Sequence, residues 1–89
     1  MKKYAIVYSF DDEHTYLDFC KTRTQEQALV WAIKQLLCNG DEEQIKEFED
    51  DENINLTTAT LPELKAVLDK CRSIYYVTDV ATEKSIYEY

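Results

Sequence analysis

Two stretches near the start of the chain carry the period-two, β-branched and aromatic character of strands. Residues 3 to 10 (Lys-Tyr-Ala-Ile-Val-Tyr-Ser-Phe) and 15 to 22 (Thr-Tyr-Leu-Asp-Phe-Cys-Lys-Thr) flank the polar run Asp11-Asp12-Glu13-His14, which predicts a β-hairpin. The period then changes. Thr24 precedes Gln27 by three residues, the spacing of a capping box, and Ala28, Leu29, Ala32, Ile33, Leu36 and Leu37 follow at steps of three and four. This predicts a first helix with Trp31 in the core, closed at Asn39-Gly40, residue types that accept the left-handed backbone of a C-cap. Asp41 and Gln44 have the spacing to cap a second, shorter helix, on which Ile45 and Phe48 lie one turn apart on an otherwise acidic cylinder.

Residues 53 to 58 read as a connector. Thr60-Leu61-Pro62-Glu63 is another capping box, with proline in the first turn where a missing amide hydrogen does little harm, and Leu61, Leu64, Val67, Leu68 and Cys71 then fall on one helical face. Ser73 to Val80 and Ser85 to Tyr89, separated by Ala81-Thr82-Glu83-Lys84, read as a second hairpin. The order β-β-α-α-α-β-β predicts a single α+β domain over residues 1–89: a four-stranded antiparallel sheet with its helices packed on one face. The other face then meets solvent or a partner. All seven tyrosines fall in the predicted strands, so alternation divides them between the faces and leaves some exposed, either as ordinary cross-strand aromatic pairs or as a binding surface.

Composition changes this picture in one place. The chain has 10 Lys and Arg against 18 Asp and Glu, a net charge of −8, which argues against direct nucleic-acid binding and against docking on anionic lipid. Residues 1 to 40 hold five bases and five acids, and residues 53 to 89 hold four bases and five acids. Nearly all of the imbalance sits between them, where Asp41, Glu42, Glu43, Glu47, Glu49, Asp50, Asp51 and Glu52 face Lys46 alone. Like charges at i, i+4 spacing repel by about 0.2–0.5 kcal/mol per pair in isolated helices, so this segment is locally suboptimal for stability. Two readings follow. The segment is either a solvated face that keeps the protein soluble, with Ile45 and Phe48 packing on the core, or an anionic docking surface.

In the docking reading Glu42, Glu43, Glu47, Glu49, Asp50, Asp51 and Glu52 carry the charge and Phe48 supplies an apolar anchor. Carboxylates three or four residues apart on a helix lie about 5–6 Å from one another, close to the phosphate spacing that Lys and Arg side chains of a nucleic-acid-binding surface accept. With this stretch Asp41 to Glu52 on a short single domain, the chain resembles, in general character rather than by motif, the small acidic phage-encoded inhibitors of bacterial defence of anti-CRISPR and anti-restriction type. That resemblance implies a cytoplasmic, non-enzymatic inhibitor whose partner is a basic protein surface, and it carries over no site residues.

Other chemistry is thinner. Asp11, Asp12, Glu13 and His14 offer hard ligands but form one contiguous turn, and the run from Asp50 to Asn55 lacks the glycine and closing glutamate of a calcium loop, so no metal is expected. Cys20, Cys38 and Cys71 are odd in number and lack the paired spacing of a zinc site, which predicts reduced thiols and a cytoplasmic setting. The apolar run after Met1-Lys2-Lys3 is shorter than that of a signal peptide, and Asn55-Leu56-Thr57 is read as an accidental glycosylation sequon. The one histidine and one glycine leave no nucleophile pair or phosphate cradle, so neither an enzyme nor a cofactor is expected. Two alternatives stay open: a small-molecule or nucleotide-binding module using the tyrosine-bearing open sheet face, and a structural homodimer formed by pairing the Ser85 to Tyr89 edge.

Overall fold

The two predicted hairpins form and meet through their inner strands. The computed structural model describes residues 1–89. Strands β1 (Lys2–Tyr8), β2 (Tyr16–Thr22), β3 (Ile74–Asp79) and β4 (Lys84–Glu88) make one antiparallel sheet in the order β2-β1-β3-β4. The hairpin pairings are local, whereas the β1–β3 pairing joins the two ends of the chain and returns it across the intervening helices. The observed architecture is therefore the predicted α+β arrangement with its element order intact. Strand ends shift by one or two residues, and Ser9 and Phe10 leave the sheet, Ser9 donating its amide to the Ser73 carbonyl at 2.9 Å.

Each helix begins as its cap dictates. Helix α1 (Gln25–Trp31) and helix α3 (Leu61–Cys71) both start with the full capping box: Thr24 with Gln27, and Thr60 with Glu63. Helix α2 (Glu42–Glu52) has Asp41 at its N-cap, but the expected Asp41–Gln44 box does not form. The Asp41 carboxylate instead accepts from the Glu43 amide at 2.8 Å, and Gln44 turns back to Asn39 at 3.4 Å. The first helix also departs from a simple 3.6 period. From Ala32 to Leu37 it widens into a π-helical segment, with the Cys38 amide reaching the Ile33 carbonyl. The wider turn lets Ile33, Leu36 and Cys38 all point inward, and the chain then reverses through Asn39 (φ 55) and Gly40 (φ 68).

The core is the seam between one sheet face and these helices. Tyr4, Ile6, Ile74, Val77 and Tyr87 from the sheet meet Leu29, Ile33, Leu64 and Leu68 from the helices, and Ile54 and Leu56 of the connector complete it. Trp31 is half-buried against this cluster rather than enclosed by it. Two β-bulges adjust the sheet. One leaves Tyr75 without a partner in β1 and the other leaves Ile86 without a partner in β3, so Ile86 and Tyr87 both turn toward the core.

Tyr87 is the polar tie between the layers. Its hydroxyl donates to Asp69 Oδ1 at 2.7 Å, and burial together with that carboxylate pushes the phenol well above its ordinary pKa. Tyr87→Phe is expected to cost about 1–2 kcal/mol in urea unfolding, toward the lower part of the charged hydrogen-bond range because Asp69 is open to solvent. The caps give a pH dependence as well. Hydrogen bonds from the Thr60 hydroxyl and amide hold Glu63 below its usual carboxylate range, and those from the His14 amide and ring hold Asp11 below its own. Because the folded values are depressed, this stabilisation is present above the unfolded pKa and is lost as pH falls through the folded values. The thermal midpoint is therefore expected to fall below about pH 4.5, with a shallower fall in Glu63→Gln, which keeps an acceptor for Thr60.

Candidate functional site

Helix α2 sits at the margin of the core and buries no residue fully. Ile45 and Phe48 are half-buried against the core cluster, which fixes the rotation of the helix about its axis. At 100° per residue, Glu43, Glu47 and Asp50 then form an i, i+4, i+7 stripe on the side away from Ile45 and Phe48, with Asp51 beside it, and all four are exposed. Glu42 lies in the first turn, where the helix dipole favours a negative charge. The C-terminus closes on Asn53 in the left-handed region (φ 50), so the acidic run ends as a capped helix rather than an open loop.

Two of the predicted site acids have structural work and lie on the inner side. Glu49 accepts the Leu56 amide at 2.9 Å, tying the helix to the connector, and Glu52 pairs with Lys70 of α3 at 3.5 Å with little exposure. The predicted set therefore divides. Glu42, Glu43, Glu47, Asp50 and Asp51 are free, while Glu49 and Glu52 are engaged and Phe48 is shared between core and surface. No spacing rule could have made this division, since the partners lie 7 and 18 residues away.

Phe48 reaches the surface in a shallow cleft of about 380 Å³ between the end of the π-helical segment and α2. Leu37 and Phe48 give it apolar contact area, and Glu47 and Asp51, one helical turn apart, supply carboxylates on its lining. Leu37 was not singled out from sequence as a surface residue. Its place at the last helical step before Asn39-Gly40 is the only local signal that it lies at the rim.

The other sequence candidates sort as follows. The Asp11 carboxylate is occupied locally, accepting from the amides of Glu13 and His14 and from His14 Nδ1 at 3.1 Å. No group of three or more His, Cys, Asp or Glu side chains is gathered where it could hold a metal ion. All three cysteines are free. Burial pushes the Cys20 thiol up to about 11, with nearby Asp18 adding to the effect, and burial likewise raises Cys38 and Cys71, so none presents a thiolate at neutral pH. No helix is long and apolar enough to cross a membrane.

The open sheet face is not tyrosine-rich. Among the tyrosines it carries Tyr76 alone, next to Leu17, Phe19 and Val7, with Lys3 Nζ 4.6 Å from the centre of the Phe19 ring. Tyr4 and Tyr87 are buried, Tyr8 and Tyr16 stack on the helical side of the sheet, and the bulge sends Tyr75 toward the sheet end. None of the clefts in the molecule is lined by Leu17, Phe19 or Tyr76, whereas small-molecule sites are concave. Comparison with protein-family models, curated proteins and solved structures returns no match.

The division of the acids has a direct consequence for stability. Glu49→Ala leaves the half-enclosed Leu56 amide without its acceptor and is expected to cost about 1–2 kcal/mol, whereas exposed Glu47→Ala should stay within about 0.5 kcal/mol of the parent, both read from urea midpoints.

Proposed function

We propose that the protein is a non-enzymatic binding inhibitor that seats the outer face of α2 on a basic surface of a nucleic-acid-binding partner. The observation that carries this reading is the cleft where Glu47 and Asp51 accompany Leu37 and Phe48. A Lys or Arg side chain has the same division, an aliphatic stem and a charged head, so its stem lies on Leu37 and Phe48 while its head meets the carboxylates. Glu43 and Asp50 extend the negative stripe on either side and supply long-range attraction that accelerates encounter. Leu37 and Phe48 also pack on the core, which a solvated acidic helix requires as well; what supports docking is that the part of them left at the surface lines the same cleft as Glu47 and Asp51. The partner's own ligand would be a polyanion, because carboxylates one turn apart occupy positions that phosphates otherwise fill.

The combined variant Glu43→Gln, Glu47→Gln, Asp50→Asn, Asp51→Asn leaves Glu49 and Glu52 in place and should keep the circular dichroism spectrum and unfolding midpoint of the parent. Proteins that the parent captures from bacterial lysate should be displaced by added duplex DNA, should dissociate as salt rises from about 0.05 to 0.5 M, and should not be captured by the variant. Equal capture by parent and variant, or capture indifferent to salt and DNA, removes the reading.

A further inference from the structure

At the end of the sheet where β1 gives way to the β1–β2 loop and α3 hands over to β3, a second cleft of about 400 Å³ opens, lined among others by Phe10, Asp12, Arg72, Ser73, Tyr75 and Tyr89. Its walls are tied together. Tyr75 and Tyr89 lie within 26° of parallel with ring centres 6.5 Å apart, and the Tyr89 amide donates to the Tyr75 carbonyl at 2.9 Å. The Tyr75 hydroxyl donates to Asp12 Oδ1 at 3.2 Å, and the Asp12 amide in turn donates to Ser9 Oγ at 3.2 Å. Tyr75 reaches this position because it is the extra residue of a β-bulge, a device that re-aims a strand side chain.

Arg72 is the one cation of the lining, and it takes part in none of the molecule's three ion pairs. Both charged residues of the cleft hold the left-handed backbone, Asp12 at φ 61 and Arg72 at φ 58, where glycine would be the less strained choice. At the C-cap of α3, glycine would close the helix equally well but would remove the guanidinium.

We propose that this cleft binds a small aromatic anion of the mononucleotide class. The near-parallel tyrosines and Phe10 give flat apolar faces for a planar base, the Arg72 fork fits a phosphate, and the free lone pairs of Asp12 accept hydrogen bonds from ring, amino or sugar donors. The pairing of one cation with one carboxylate sets the selectivity. A bare anion meets the Asp12 charge and gains no ring contact, whereas a nucleotide satisfies both charged groups and the aromatic walls. The volume lies within the range of single small-ligand sites. The site is separate in its residues from the α2 surface and does not depend on the role given to that helix.

The test is an amide NMR titration of the full chain with 5′-GMP, 5′-AMP and inorganic phosphate. Saturable shifts at Ser73, Tyr75 and Tyr89 with at least one nucleotide, at a Kd below about 1 mM and tighter than phosphate, are expected. Arg72→Gly should hold the native spectrum, with an unfolding midpoint at or above that of the parent, and should bind about tenfold more weakly or worse. Arg72→Lys, which keeps the charge without the fork, should fall between, and the α2 variant without its four outer acids should bind like the parent. Absence of saturable shifts at these residues with either nucleotide overturns the proposal. So does phosphate alone binding as tightly as the nucleotides, or unchanged affinity in folded Arg72→Gly.

Discussion

The shape of every accessible surface follows from the burial of one face of a four-stranded sheet under three helices. Leu29, Ile33, Leu64 and Leu68 are shielded from solvent against Tyr4, Ile6, Ile74 and Val77 on that face, and the hydrophobic effect acting on this seam holds the two layers together. Because β3 must return beside β1, the whole helical segment crosses the same side of the sheet, and β2 and β4 become its edges. Both edges are locally irregular. The Asp18 carboxylate takes the Phe19 amide at 3.0 Å on β2, and the bulge at Ile86 distorts β4. The packing that makes the core thus also decides which groups are left to meet other molecules.

Local signals in the sequence carry most of the architecture. Capping boxes at Thr24 and Thr60, the Asn39-Gly40 reversal, and the change from period two to steps of three and four each involve residues within a turn of one another, and each appears in the structure where the pattern places it. What escaped depends on neighbours distant in the chain. The order β2-β1-β3-β4 rests on the β1–β3 pairing, which no local pattern encodes. The bulges at Tyr75 and Ile86 break the alternation on which the division of the tyrosines relied, so only Tyr76 reaches the open face. The π-helical turn from Ala32 to Leu37 widens to enclose Cys38, a demand of the core and not of helix propensity.

The candidate surface was legible in outline only. Charge counting finds the segment from Asp41 to Glu52, and helical periodicity finds Ile45 and Phe48, but neither separates free acids from engaged ones. Glu49 and Glu52 look identical to their neighbours in sequence, yet one holds the Leu56 amide and the other pairs with Lys70. The second cleft was not legible at all. Its tyrosines come from β3 and the residue after β4, its carboxylate from the β1–β2 loop and its cation from the end of α3, and only the closed sheet brings them together.

The distribution of left-handed residues separates backbone necessity from side-chain use. Five non-glycine residues adopt positive φ in a chain that contains a single glycine. Asn39 and Asn53 close helices, and asparagine tolerates that conformation because its short polar side chain bonds locally. Arg72 has no such relief, and a long charged side chain there is held at a cost of about 1 kcal/mol relative to glycine. If the backbone alone mattered, glycine or asparagine would serve at the end of α3 as they do at the ends of the first helix and α2. Glu83 (φ 59) is a second long charged residue in this conformation, in the β3–β4 turn and outside the cleft, so a positive φ alone marks no site; at Arg72 it coincides with a cation that joins no ion pair and lines a cleft with aromatic walls.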